Sequence, residues 1–262
     1  MSPTTARHRL RAALTGALVA VCAIGLAAPA QAAAPTHRSG SCTLGVGRTT
    51  LTVTSGGLER TAVVYRPATR TTRLPVVLDL HGSGSTSVEQ LDRSGLEKTA
   101  DSSGFLVVAP QGAIVSGTGY SWNVPHVTTA ADAPDDEAFL SALIDTLVAT
   151  GCVDATRVYA TGYSGGGRMI SQYACDVPGR LAAIAPVAGL RAGAPSATDA
   201  STVDTSTCAP AQGTSVLTFH GTADPVNWYD GGGLFPYWGY SATTALSRWA
   251  EIDGCRRGPS TR

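Results

Sequence analysis

The chain has 262 residues, of which 43% are hydrophobic and 15% charged, and its 19 Lys and Arg balance 19 Asp and Glu. That balance removes any electrostatic reason to expect nucleic acid or an anionic membrane as a partner. The length suits one sizeable domain with a proper core.

The first 32 residues read as a leader. Arg7, Arg9 and Arg11 form a basic n-region, Ala12 to Ala28 is almost wholly apolar, and Ala30-Gln31-Ala32 offers a small-x-small cleavage site. The apolar stretch is short for a membrane anchor and runs directly into Pro29 and small residues. Val21, before Cys22, is larger than a lipoprotein site wants. Residues 1–32 are therefore expected to be a signal peptide, the mature protein to be secreted, and no membrane contact to remain after cleavage. Taking the three leader arginines from 19 Lys and Arg leaves 16 against 19 Asp and Glu, a balance of about −3. Residues 33–50 read as a loose lead-in and residues 51–262 as the main domain.

Past the lead-in, "TLTVTS" and "TAVVYRP" suggest an antiparallel pair around Gly56-Gly57. "LPVVLDLHG", "GFLVVAPQG" and "TRVYATGYS" are continuous apolar runs that end in a glycine or a turn, and "LAAIAPVAG" and "TSVLTFHGTADP" repeat the form later. Continuous rather than alternating runs suit strands buried on both faces, as in a parallel sheet. Between Asp135 and Thr150, Phe139, Leu140, Leu143, Ile144, Leu147 and Val148 recur at helical spacing. Asp135, Asp136 and Glu137 sit in the first turn, where the helix dipole favours negative charge. "ATTALSRWAEI" reads as another helix, followed only by "DGCRRGPSTR". Strand-helix alternation with buried strands predicts a doubly wound, mostly parallel α/β domain.

Five cysteines remain after the leader: Cys42, Cys152, Cys175, Cys208 and Cys255. Export favours oxidising them into bridges, and the odd number leaves one over. Fifteen arrangements are open, so the pairing is not legible, although Cys255 near the end is the natural spare.

"RVYATGYSGGGRM" holds the pattern Gly-x-Ser-x-Gly centred on Ser164. Composition alone gives about 0.3 such matches by chance, so its context decides. Here the pattern joins a strand, Arg157 to Thr161, to a helix, Arg168 to Cys175. Gly162, Gly165 and Gly166 stand where a tight strand-to-helix turn would reject a side chain. That is the turn which exposes a nucleophilic serine at the carboxyl end of an α/β-hydrolase sheet. In that architecture one oxyanion-hole N–H follows the nucleophile, here Gly165, and the other lies in the loop after the third strand, here Ser83 of "DLHGSGST". His81 in that loop reads as a brace rather than a base. Asp224, closing "TFHGTADPV", falls in the Ser…Asp…His order expected of the catalytic acid. No His, Cys and Asp cluster at ligand spacing calls for a metal, and no cofactor is expected.

"HGSGST", "DDEAFLSALID", "RVYATGYSGGGRM", "APVAG", "HGTADPV" and the closing "W…DGC" resemble the secreted esterases that group polyhydroxybutyrate depolymerases with feruloyl and acetylxylan esterases of carbohydrate esterase family 1. The resemblance runs from about Leu51 to Cys255. It implies an α/β-hydrolase fold, Ser164 as nucleophile, Asp224 as acid, and Ser83 and Gly165 as oxyanion donors. Trp122 and the segment after Asp224, with Trp228 and Tyr229, would line the substrate cleft. In the family the catalytic histidine follows a final strand beyond the last helix, and this chain stops before it. None of His8, His37, His81, His126 and His220 follows Asp224, and His220 reads as bracing the Asp224 turn. The domain is thus expected to be C-terminally incomplete, with the base absent, the edge of "TSVLTF" uncovered and the Cys255 thiol spare.

The function these residues suggest is hydrolysis of carboxylic esters through an acyl-enzyme. The substrate would be a polyester or a feruloylated or acetylated polysaccharide, and the complete protein a monomer. A secreted serine peptidase of the same fold and a non-catalytic binding protein are the alternatives. Trp228, Tyr229, Phe235, Tyr237, Trp238 and Tyr240 crowd the segment after the acid, where rings could bind substrate or equally pack the next helix.

Overall fold

The computed structural model of the protein describes residues 42–69, 73–128, 130–233 and 239–256. The expected leader, residues 33–41 of the lead-in, and Phe235, Tyr237 and Trp238 lie outside the described residues. In chain order come β1 (Gly47–Ser55), β2 (Leu58–Arg66), β3 (Leu74–Leu80), α1 (Ser87–Ser94), α2 (Leu96–Ser103), β4 (Leu106–Pro110), β5 (Ile114–Ser116) and β6 (Gly119–Ser121). Then follow α3 (Asp136–Ala149), β7 (Val153–Tyr163), α4 (Gly165–Asp176), β8 (Ala183–Val187), β9 (Ser215–Val216) and α5 (Ala242–Ile252).

Among the described residues seven strands form one sheet in the order β1-β2-β4-β3-β7-β8-β9. The first two pairings, β1 with β2 and β2 with β4, are antiparallel, and every pairing from β4 to β9 is parallel. Gly56 and Gly57 turn the β1–β2 hairpin with φ of 58° and 78°, a region open to glycine at no steric cost. β1 starts at Gly47, four residues before the apolar pattern, because Arg48 and Thr49 pair through the backbone with Tyr65 and Val64 whatever their side chains. On β3, Leu74, Val76, Leu78 and Leu80 are buried, and β4 is buried throughout, as the continuous runs predict. The last run is shorter as a strand than its sequence suggests. Beyond Val216 it follows β8 through scattered bonds rather than a continuous ladder, among them Leu217 N–H to Ile184 O, Phe219 N–H to Pro186 O and Ala188 N–H to Phe219 O, and Leu217 and Phe219 are exposed.

α3 packs Phe139, Leu140, Leu143, Ile144 and Leu147 against the sheet, the expected face, while Val148 is half-buried. Its first turn does more than answer the dipole. Asp135 caps the helix by accepting from the Ala138 N–H at 2.9 Å. Asp136 is buried, 2.6 Å from the buried guanidinium of Arg60, and its other oxygen accepts from the Asn123 N–H at 2.7 Å. Arg60 also donates to Gln111 O at 2.9 Å and lies 4.1 Å over the Phe139 ring. One ion pair therefore ties β2, α3 and the loop carrying Trp122.

Cys42 is bridged to Cys152 and Cys175 to Cys208, which leaves Cys255 exposed as the free thiol among the described residues. No described helix is long and apolar enough to cross a membrane.

Removing one partner of a buried pair strands the other charge in a low dielectric. Asp136→Ala should therefore cost about 3–5 kcal/mol in urea unfolding, and the double replacement Arg60→Met with Asp136→Leu should recover most of that. An Asp136→Ala variant with the wild-type midpoint would contradict the role given to this pair.

Candidate active site

Ser164 stands alone between the end of β7 and the start of α4, with φ 50° and ψ −110°. A non-glycine residue there is strained by about 1–3 kcal/mol and persists only when its surroundings over-determine it. They do so here. Its N–H donates to Val187 O at 2.9 Å, and its carbonyl accepts from the Arg168 N–H at 3.0 Å. Glycines allow the backbones to close in: a Cβ on Gly162 would lie 2.5 Å from the Gly166 carbonyl carbon, and one on Gly166 would run into Leu80 O. α4 starts at Gly165, three residues before the sequence suggests, because packing overrides the poor helix propensity of three successive glycines.

The loop after β3 meets this turn. A Cβ on Gly165 would lie 2.6 Å from Ser83 Oγ and 3.2 Å from Ser83 N, so the two expected N–H donors are side by side. The first-turn N–H groups of α4 have no intrahelical acceptor and point the same way as the helix dipole. His81 holds the loop from beneath. It is buried, with Nδ1 2.8 Å from Gly82 O, while Nε2 accepts from the Gly112 N–H at 2.9 Å. Since Nε2 accepts, Nδ1 carries the proton and donates, and burial lowers the ring's pKa. His81 is a neutral brace. Trp122 packs on it at 4.8 Å between ring centroids and donates Nε1–H to His81 O at 2.8 Å.

A cleft of about 300 Å³ opens between these elements, lined among others by Ser83, Gly165, Trp122, Val124, Val127 and Arg168. Trp122 is 3% exposed, so little of its ring is open to the cleft. Arg168, one turn into α4, is a lining residue that sequence reasoning did not single out.

On the other side of Ser164, Asp224 Oδ1 accepts from the N–H groups of Val226 and Asn227, both at 2.9 Å, and Oδ2 lies 3.8 Å from His220 Nε2. His220 Nε2 donates to Asn227 O at 2.6 Å, as a brace of this turn would. Asn227 also escaped the sequence reading. It is 3% exposed, and its Nδ2 lies 3.2 Å from Ser164 Oγ and 2.8 Å from Ala188 O. Only its place three residues after the acid could have flagged it. The described part of the aromatic cluster divides. Trp228 is 43% exposed, and Tyr229 meets His220 edge-on at 5.8 Å. Neither lines the cleft that holds Trp122. Tyr240 is buried, donating to Gly193 O at 2.5 Å and accepting from the Ala192 N–H at 3.1 Å, so this ring packs the core beside α5.

A doubly wound sheet with a strained serine at a strand-to-helix turn, the Ser83 loop after β3 packed against that turn and an acidic turn after β9 is an α/β-hydrolase. The chain belongs to the esterase PHB depolymerase family, whose profile matches residues 60–216. It is 31% identical over 192 residues to feruloyl esterase B of Piromyces equi, covering 71% of this chain and 33% of that one. With the bifunctional acetylxylan esterase/xylanase XynS20E of Neocallimastix patriciarum it shares 32% identity over 134 residues, 51% of this chain and 18% of that one. The chain spans 18% to 52% of the length of the curated relatives it matches. The fold is that of LpqC, a poly(3-hydroxybutyrate) depolymerase from Bordetella parapertussis, with a TM-score of 0.59 at 20% identity over 81% of this chain and 80% of that one.

The strand-to-helix turn depends on the missing side chains of Gly162 and Gly166. Gly162→Ala should destabilise the protein by at least about 2 kcal/mol, since its Cβ meets backbone rather than a movable side chain. Thermal unfolding unchanged by this substitution would contradict the packing described.

Proposed function

We propose that the protein is an exported serine esterase that cleaves carboxylic esters through an acyl-enzyme. Ser164 Oγ attacks the ester carbonyl, and the alcohol part leaves. Water then hydrolyses the acyl-serine. The negative charge that develops on the carbonyl oxygen is held by the N–H groups of Ser83 and Gly165. Asp224 orients and charges the histidine that takes the serine proton; two backbone N–H groups fix its Oδ1 and leave Oδ2 for that task. That histidine is not one of the three described. His81 is locked and neutral, His126 is exposed, and the Nε2 of His220 is engaged by Asn227 O.

The observation that carries this reading is the strained backbone of Ser164 beside Ser83 N, because strain of that kind is kept where a site uses it. Family membership favours esters over peptides. The half-apolar cleft walled by Trp122, Val124 and Val127 suits a polyester segment or a feruloyl or acetyl ester of a polysaccharide. Two disulfides support an oxidising, extracellular setting and a cleaved leader at residues 1–32.

In the protein expressed at the full length its gene encodes, Ser164→Ala should lower turnover of p-nitrophenyl acetate by about 10⁴-fold or more. Turnover unchanged by that substitution removes the serine-esterase reading.

A further inference from the structure

Asn227 joins Ser164, the β8 end and the Asp224 turn, yet has no part in the acyl-enzyme chemistry. Its side chain is buried, and its Nδ2 lies 2.8 Å from Ala188 O and 3.2 Å from Ser164 Oγ. A carbonyl oxygen can only accept, so the amide group facing Ala188 must be the NH₂ and not the oxygen. The second proton of that NH₂ then points at Ser164 Oγ, which makes the serine oxygen the acceptor in this bond. The Ser164 hydroxyl proton is left to point elsewhere. Asn227 Oδ1, meanwhile, is buried with no hydrogen-bond partner among the described residues. A buried polar atom without a partner asks for an explanation.

The backbone of Asn227 fixes the rest. Its N–H donates to Asp224 Oδ1 at 2.9 Å, and its carbonyl accepts from His220 Nε2 at 2.6 Å. Ala188, whose carbonyl orients the amide, is itself held at φ 49° with its N–H on Phe219 O at 2.7 Å. The amide is therefore clamped between the acid turn and the β8 end of the serine turn.

We propose that Asn227 is a positioning residue. By donating to Ser164 Oγ it fixes the serine rotamer and turns the hydroxyl proton away from the Asn227 amide, leaving it free for the base. The proposal rests on the serine-esterase reading. It concerns hydrogen-bond polarity more than packing, and the two make opposite predictions for two variants. Asn227→Asp keeps the shape but replaces the donor by an acceptor, which repels Ala188 O and draws the Ser164 proton toward itself. Asn227→Ala removes shape and donor together, and leaves the serine proton free to turn either way.

The test measures kcat, KM and melting temperature for wild type, Asn227→Ala, Asn227→Asp and Ser164→Ala, with p-nitrophenyl acetate and the full-length protein. We expect Asn227→Ala to lose about 10- to 100-fold in kcat with KM within about threefold, the scale of a misdirected reacting group. Asn227→Asp should lose more than Asn227→Ala, and its kcat should fall further as pH rises and the new carboxyl ionises. If Asn227→Ala does not fold, Asn227→Asp decides alone by the same split of kcat from KM. A wild-type kcat in the folded variants overturns the proposal. So does a loss confined to KM, or an Asn227→Asp variant more active than Asn227→Ala with no added pH dependence. Ser164→Ala separates the two readings: if it keeps its turnover the serine-esterase reading fails, and if it alone is inactive that reading stands and the role of Asn227 falls.

Discussion

The site depends on one close approach of backbones. β7 ends and α4 begins around Ser164 with so little space that Gly162, Gly166 and Gly189 must lack side chains: a Cβ on Gly189 would lie 2.5 Å from Ser164 O. The approach holds Ser164 at φ 50°, a conformation it would leave if the neighbouring backbones relaxed. It also brings the first turn of α4 against the loop after β3, and so sets Ser83 beside Gly165. The Ser83–Gly165 approach and the strained serine are two results of one packing constraint.

Around that point the molecule spends buried polar groups on fixing loops. Asp136 joins Arg60 to the backbone of Asn123, beside Trp122, and Trp122 in turn bonds to the carbonyl of His81. His81 reaches Gly112. The hairpin of β5 and β6 closes the same loop from outside, through Gly84 N–H to Tyr120 O and Tyr120 N–H to Ser85 O. The cleft wall is thus connected to the core by hydrogen bonds of buried groups, which cost most when left unmade. This agrees with a site that is formed before any ligand arrives.

Much of this was legible in the sequence because the signals were local. Continuous apolar runs gave β3, β4, β7 and β8, and helical spacing gave α3 and α5. Gly162, Gly165 and Gly166 mark the serine turn in the sequence itself. What escaped depends on contacts between distant segments. Asp136 looked like a dipole partner because its mate, Arg60, lies on another strand. Asn227 looked like a turn residue because nothing local says that its amide reaches Ser164 across 63 positions. Tyr240 sat in an aromatic cluster whose members the fold sends to different places, one to the core and one to the surface. Disulfide pairing could not be read at all, since Cys42 and Cys152 are 110 residues apart and meet only through the sheet. The polar side of the loop after β3 was readable by architecture, whereas the guanidinium of Arg168 in the cleft was not.

The central claim is that this backbone makes Ser164 a nucleophile beside a ready pair of N–H donors. Treating the full-length protein with a fluorophosphonate and mapping the adduct by mass spectrometry tests it most directly. The account predicts a single phosphonylated residue, Ser164, formed far faster than at any other serine. A protein left unlabelled, or labelled at another residue while Ser164 stays free, would contradict it.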